Sequence, residues 1–126
     1  MIKDIKQIQE ILSGLLKEHI GPLRIRKENE QVLELCGTIE TMQGKQKVDG
    51  IYFASVVPKP KDIRLYFFPI YTHKDAIGSL SEDLSKMLKG KSCFHIKRLD
   101  DTLIQEISNM ISKGVSTYQA AGWLAS

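Results

Sequence analysis

The chain is poor in the residues that usually announce a chemistry. It has two cysteines, Cys36 and Cys93, far apart in 126 residues. No CxxC pair and no Cys/His spacing of a zinc site is present. A small secreted domain stapled by disulfides carries more cysteine than this. No apolar run approaches the ~18 residues of a membrane span. The start, MIKDIKQIQEILSGLL, has Asp4, Lys6, Gln7, Gln9 and Glu10 where a signal peptide needs an unbroken apolar centre. Two thiols without an export signal lead us to expect reduced cysteines and a cytoplasmic location. Charge of one sign is also scarce. Eighteen basic against fifteen acidic side chains leave +3, too small an excess to call for nucleic acid, and no membrane partner is expected. Internal repeats, low-complexity runs and interdomain linkers are missing, so residues 1–126 are read as one domain.

What the chain does have is aromatic mass in one place. All four Phe and three of the four Tyr lie between Gly50 and Lys97. These side chains have the most apolar area to bury, so a core must form around this stretch. An apolar fraction of 42% and a charged fraction of 26% are those of a folded globular domain.

Periodicity supplies the elements. Ile2, Ile5, Ile8, Leu12, Leu15 and Leu16 recur at the spacing of one helical face, which predicts a helix over 2–19 that Gly21-Pro22 stops. The period then becomes two. Leu23 and Ile25 alternate with Arg24 and Arg26, Leu33 and Leu35 flank Glu34, and Asn29 suits the turn between them. Residues 39–48 read as a short hairpin about Gln43-Gly44-Lys45. Strands follow at 51–57 and 63–70, joined by a stiff Pro58-Lys59-Pro60-Lys61-Asp62 link that argues for antiparallel pairing. Ser81-Glu82-Asp83 starts a short helix that Gly90 ends, and 92–97 is one more strand. Asp100 and Asp101 open a long helix whose apolar face is Leu103, Ile107, Met110, Ile111 and Tyr118. Gly114 weakens it modestly. This order predicts an α+β two-layer sandwich: a mainly antiparallel sheet of five or six strands, with the N- and C-terminal helices on one face and the other face open.

The run DGIYFASVV, the strand YFFPIYTH, the segment LKGKSCFHIKRLDD and the closing helix with its GW resemble the YdhG-like family of small bacterial domains over roughly residues 20–123. The resemblance implies a frataxin-like α/β sandwich and no catalytic residues to carry over. It also implies iron carriage as an alternative function, with iron the one cofactor to consider. The acidic first helix that goes with iron in frataxins is not matched, because Asp4, Glu10 and Glu18 are interleaved with Lys3, Lys6 and Lys17. Hard cations want clustered oxygen ligands, and no metal residue is assigned.

Several motifs have a functional and a plainer reading. Gly90-Lys91-Ser92 looks like the end of a phosphate loop, but Ser85 stands where the first glycine belongs and a strand follows. Cys93, His95 and Lys97 share one side of a strand. They are either a ligand-binding trio or ordinary alternation, and side chains two apart point in parallel rather than at each other. Lys86, Lys89, Lys91, Lys97 and Arg98 form either an anion patch or a solvated helix end. Tyr52, Tyr66, Phe68 and Tyr71 line a pocket or pack the core. With Tyr66 and Phe68 on one side of their strand and Leu65 and Phe67 on the other, both sheet faces are expected to be apolar. A homodimer through the open face would cover the second.

The reading is therefore a non-enzymatic module that binds a small molecule or protein partner on its open sheet face. The candidates are Tyr52, Tyr66, Phe68, Tyr71, His73, Lys91, Cys93, His95 and Lys97. An enzyme built on His95 or His73 with Lys91 would need those groups within hydrogen-bond reach.

Overall fold

In a computed structural model that describes residues 1–126, the first helix starts later than its apolar spacing predicts. The Asp4 carboxylate accepts from the Gln7 backbone N–H at 2.9 Å, and α1 spans Ile5–Lys17. Ile2 is outside it. Its backbone exchanges hydrogen bonds with Leu99 at 2.7 and 2.9 Å, so this apolar residue is held against the far end of the chain instead.

The hairpins follow from their turn residues. In β1 (Leu23–Asn29) and β2 (Val32–Gly37), Asn29 Oδ1 accepts from the N–H groups of Gln31 and Val32 at 2.7 and 3.1 Å, the local bond that lets Asn stand in for backbone in a turn. Gly44, with φ +63°, turns β3 (Thr41–Gln43) into β4 (Gln46–Val48), which pair only with each other. Next come β5 (Tyr52–Pro58) and β6 (Ile63–Phe67).

The strand predicted to reach Ile70 ends three residues earlier. Pro69 has no N–H for a ladder but fits the first turn of a helix, so Pro69–Thr72 forms α2, and Lys74–Ile77 forms α3. Phe68 therefore does not lie on the strand with Tyr66. Ser81 caps α4 (Glu82–Met87) by accepting from Leu84 N–H at 3.1 Å. Gly90 is not its stop, because the helix has already given way to β7 (Leu88–Lys89). With φ +77°, Gly90 is the turn residue before β8 (Cys93–Ile96). Asp100 caps α5 (Asp101–Ala120) through Leu103 N–H at 2.8 Å.

Six strands make one antiparallel sheet in the order β1-β2-β5-β6-β8-β7. The molecule is an α+β sandwich, as expected. α1 packs on β5 and β6, and the neighbouring α5 brings Tyr118 edge-on to Phe53 at 5.8 Å. Ile63, Leu65 and Phe67 of β6, with Phe94 and Ile96 of β8, are completely buried on this covered face. They belong to a single core cluster of 26 buried residues.

Two glycines are required by close approach. A Cβ on Gly50 would lie 2.1 Å from the Gly37 carbonyl oxygen, where the chain entering β5 runs against the end of its antiparallel partner β2. A Cβ on Gly114 would lie 2.6 Å from Phe67 Cζ. Gly114 is thus no mere weak point in α5. It lets the helix sit down on the sheet.

Candidate functional site

Register determines what the open face carries. Across the middle, Lys27, Glu34, Ser55, Tyr66, Cys93 and Lys89 form one row from edge to edge. Arg64 stands between Val57 and His95 in the next. This face is polar with a few aromatics, which corrects the expectation of a second apolar surface. The expectation failed because Phe68, counted as a strand residue, lies beyond the strand's end. The argument for a homodimer loses that premise.

At one end of the face the aromatics make a row of their own. Tyr52 and Phe68 are tilted with centroids 5.5 Å apart, and Phe68 stacks on Tyr71 at 5.8 Å. Cations cap both ends: the Arg26 guanidinium lies 5.9 Å from the Tyr52 centroid, and Lys91 Nζ lies 5.3 Å from that of Tyr71. Each cation faces the electron-rich side of a ring. Tyr52 is tied down, its hydroxyl 2.7 Å from Ser55 Oγ. Burial pushes its pKa up to about 12, against the lowering effect of the Ser55 hydrogen bond. Its phenol is neutral at any physiological pH and serves as a ring and a hydrogen-bonding group, not as a base.

Tyr71 is the unfinished member of the row. It is 52% exposed and opens onto a cleft of about 530 Å³. Ile70, Leu80 and Leu88 supply the apolar wall, while Lys74 and Lys91 supply charge. Of the four aromatics predicted to line a pocket, Tyr71 is the one that lines this cleft. Tyr66 lies apart, opposite Ser55 on one side and Cys93 on the other.

The other predicted residues separate. His73 leaves the open face entirely. Its ring stands edge-on to Tyr118 at 5.5 Å and to Trp123 at 4.9 Å, and Nδ1 lies 2.9 Å from Thr72 Oγ1. Thr72 Oγ1 in turn lies 2.7 Å from the Tyr118 hydroxyl, so these groups clamp α2 to the end of α5. His95 and Lys91 line different clefts and His73 lines neither. No acid–base pair forms among them.

Cys93 has a thiol pushed up first by burial, which outweighs the Tyr66 hydrogen bond and the Arg64 charge that pull it down. A thiol held protonated is a poor nucleophile. No group of three His, Cys, Asp or Glu side chains converges. Likewise no helix is long and apolar enough to cross a membrane.

Two residues of the open face escaped the sequence reading. Asp62 was placed in a polar link, yet it is 5% exposed and accepts from Arg64 Nε at 2.8 Å. Its other oxygen lies 3.9 Å from His95 Nδ1. The signal was available: Asp62 and Arg64 are two apart, the spacing that puts strand side chains on one face. Arg26 was counted as simple alternation. It is the extra residue where the β1–β2 register shifts between Ile25 and Lys27, and there it reaches Glu34 at 2.6 Å.

No family model matches the chain, and no curated protein or solved structure matches it either.

Proposed function

We propose that this chain is a non-catalytic binding module. Its ligand site is the aromatic end of the open sheet face and the cleft beside it. The observation that carries the proposal is Tyr71, half exposed, backed by the stacked Phe68 and overhung by Lys91 at the mouth of that cleft. A cleft of about 530 Å³ lies within the ~300–1,000 Å³ of small-molecule sites. An apolar wall with two lysines suits a ligand with a flat apolar body and one acidic group. Membership of the YdhG-like family belongs to the same proposal, supported by the order of helix, antiparallel sheet and closing helix.

A heteronuclear NMR titration with 4-hydroxyphenylacetate and indole-3-carboxylate, each beside its neutral amide, tests the reading. The acids should saturate and shift Tyr71, Leu80, Leu88 and Lys91. Each amide should bind about tenfold more weakly, the scale of one charge-assisted contact. Tyr71→Ala should abolish the response. Shifts confined to other parts of the fold would sink the proposal. Light scattering on the same samples reports whether a second copy covers this face instead, in which case the mass doubles and added acid lowers it.

A further inference from the structure

We infer that the cleft at the opposite end of the open face, where β8 runs out, is a binding site for a small multivalent oxyanion of the phosphate class. The two clefts flank β7: Lys89 lines this one, whereas Leu88 and Gly90 line the aromatic one. The inference does not depend on the aromatic end.

The cleft measures about 440 Å³ and has one apolar residue, Met87, in its lining. Four of the five members of the basic cluster read from the sequence meet here: Lys86 from α4, Lys89 from β7, and Lys97 and Arg98 from the segment after β8. The fifth, Lys91, is the cation over Tyr71. Lys86 is an exposed cation in the last turn of α4, but the cluster is not one continuous patch, because the β7–β8 turn separates Lys91 from the other four.

Charge balance decides what the cleft can hold. Arg98 is already engaged, with Asp83 at 3.5 Å and Asp100 at 3.8 Å, and Lys86 has Glu82 at 3.1 Å. The buried Asp62 is answered by Arg64 Nε at 2.8 Å. Lys89 and Lys97 have no carboxylate within 4.0 Å. The His95 ring, in the same lining, makes no hydrogen bond inside the chain, and its nearest acid is Asp62 at 3.9 Å.

Two unpaired ammonium groups and an imidazole without a hydrogen bond line one cleft in which Lys86, Lys89, Lys97 and Arg98 outnumber Asp62 and Asp83, a donor set that complements a compact anion. A lysine on a two-residue edge strand can also serve to repel strand pairing. That accounts for Lys89 but not for Lys97 or for the free imidazole.

Calorimetry and NMR with inorganic phosphate and pyrophosphate, at constant ionic strength in chloride, test the site. Saturable binding is expected, with shifts at Lys89, His95 and Lys97. The Lys89→Gln/Lys97→Gln double variant should bind pyrophosphate at least tenfold more weakly. Lys3→Gln/Lys6→Gln, which removes the same charge from α1, should stay within twofold of the parent. Glycerol phosphate serves as the esterified arm. Tighter binding than inorganic phosphate assigns the site to a phosphomonoester, and weaker binding assigns it to the free anion. Tyr71→Ala should leave all of these values unchanged, which separates this site from the aromatic one. The inference is overturned if no probe saturates, if the Lys89/Lys97 variant binds as the parent does, or if both lysine pairs weaken binding equally, the mark of diffuse surface charge.

Discussion

The two faces of β6 use the same five residues to opposite ends. Ile63, Leu65 and Phe67 point to the helices and have no exposure at all, whereas Arg64 and Tyr66, each one residue away, are only partly buried. On the covered face, neighbours across the strands are again apolar: Leu65 stands between Val56 and Phe94. On the open face, neighbours are mixed in chemistry: Tyr66 stands between Ser55 and Cys93, and Arg64 beside His95. The covered face is a packing problem solved by shape. The open face is a set of separate polar and aromatic groups, which leaves it free to bind.

The sharpest way to break that contrast is to truncate one residue on each side. Phe67→Ala should cost about 3–5 kcal/mol, since it removes a fully buried ring that packs edge-on to Phe53 and beneath Gly114. Tyr66→Ala should cost roughly 1 kcal/mol, as expected of a partly exposed side chain away from the core. Urea unfolding of both variants decides the matter, and equal losses would mean the open face is as tightly packed as the covered one.

Alkaline pH probes both faces, and a single substitution separates them. The Tyr52 pKa is raised to about 12 from an ordinary ~10. Its neutral form therefore stabilises the fold fully below about pH 10, and that contribution is lost as pH climbs toward 12. The loss should reach about 2 kcal/mol. Tyr118, also pushed up by burial, adds a further loss from the covered side. Tyr52→Phe should remove only the first share. Unfolding free energies at pH 9 and 11.5, with phenolate absorbance followed in parallel, separate the two. An unchanged pH slope in Tyr52→Phe would contradict the burial assigned to that ring.

Gly114→Ala sets local preference against packing. Helix propensity alone favours alanine by about 1 kcal/mol, but the new methyl meets Phe67 at 2.6 Å. A net destabilisation of about 1–2 kcal/mol is expected from overpacking. A variant that melts higher than the parent would show that α5 can lift away from the sheet at no cost.

An effect as small as that of Tyr66→Ala, about 1 kcal/mol, should come from Asp62→Asn. It weakens a charge-assisted bond to Arg64, whose side chain keeps partial access to water. The chemical shifts of the His95 ring should move with it, and a ring left unmoved would place His95 outside the influence of Asp62.

Periodicity, capping residues and turn chemistry determined most of the architecture without help. Asp4, Asn29, Ser81 and Asp100 each act through a bond to backbone two or three residues away, so their role is written locally. The covered face was legible for the same reason, because alternate apolar residues have only one place to go. Tertiary structure decided the rest. Pro69 turned the chain out of the sheet and carried Phe68 and Tyr71 into a row with Tyr52. A two-residue strand and a glycine turn divided one run of lysines between two clefts. Gly114 became necessary only because Phe67 lies beneath it. These features depend on which distant segments meet, and a local pattern records the preference of a residue but not the identity of its neighbour across the sheet.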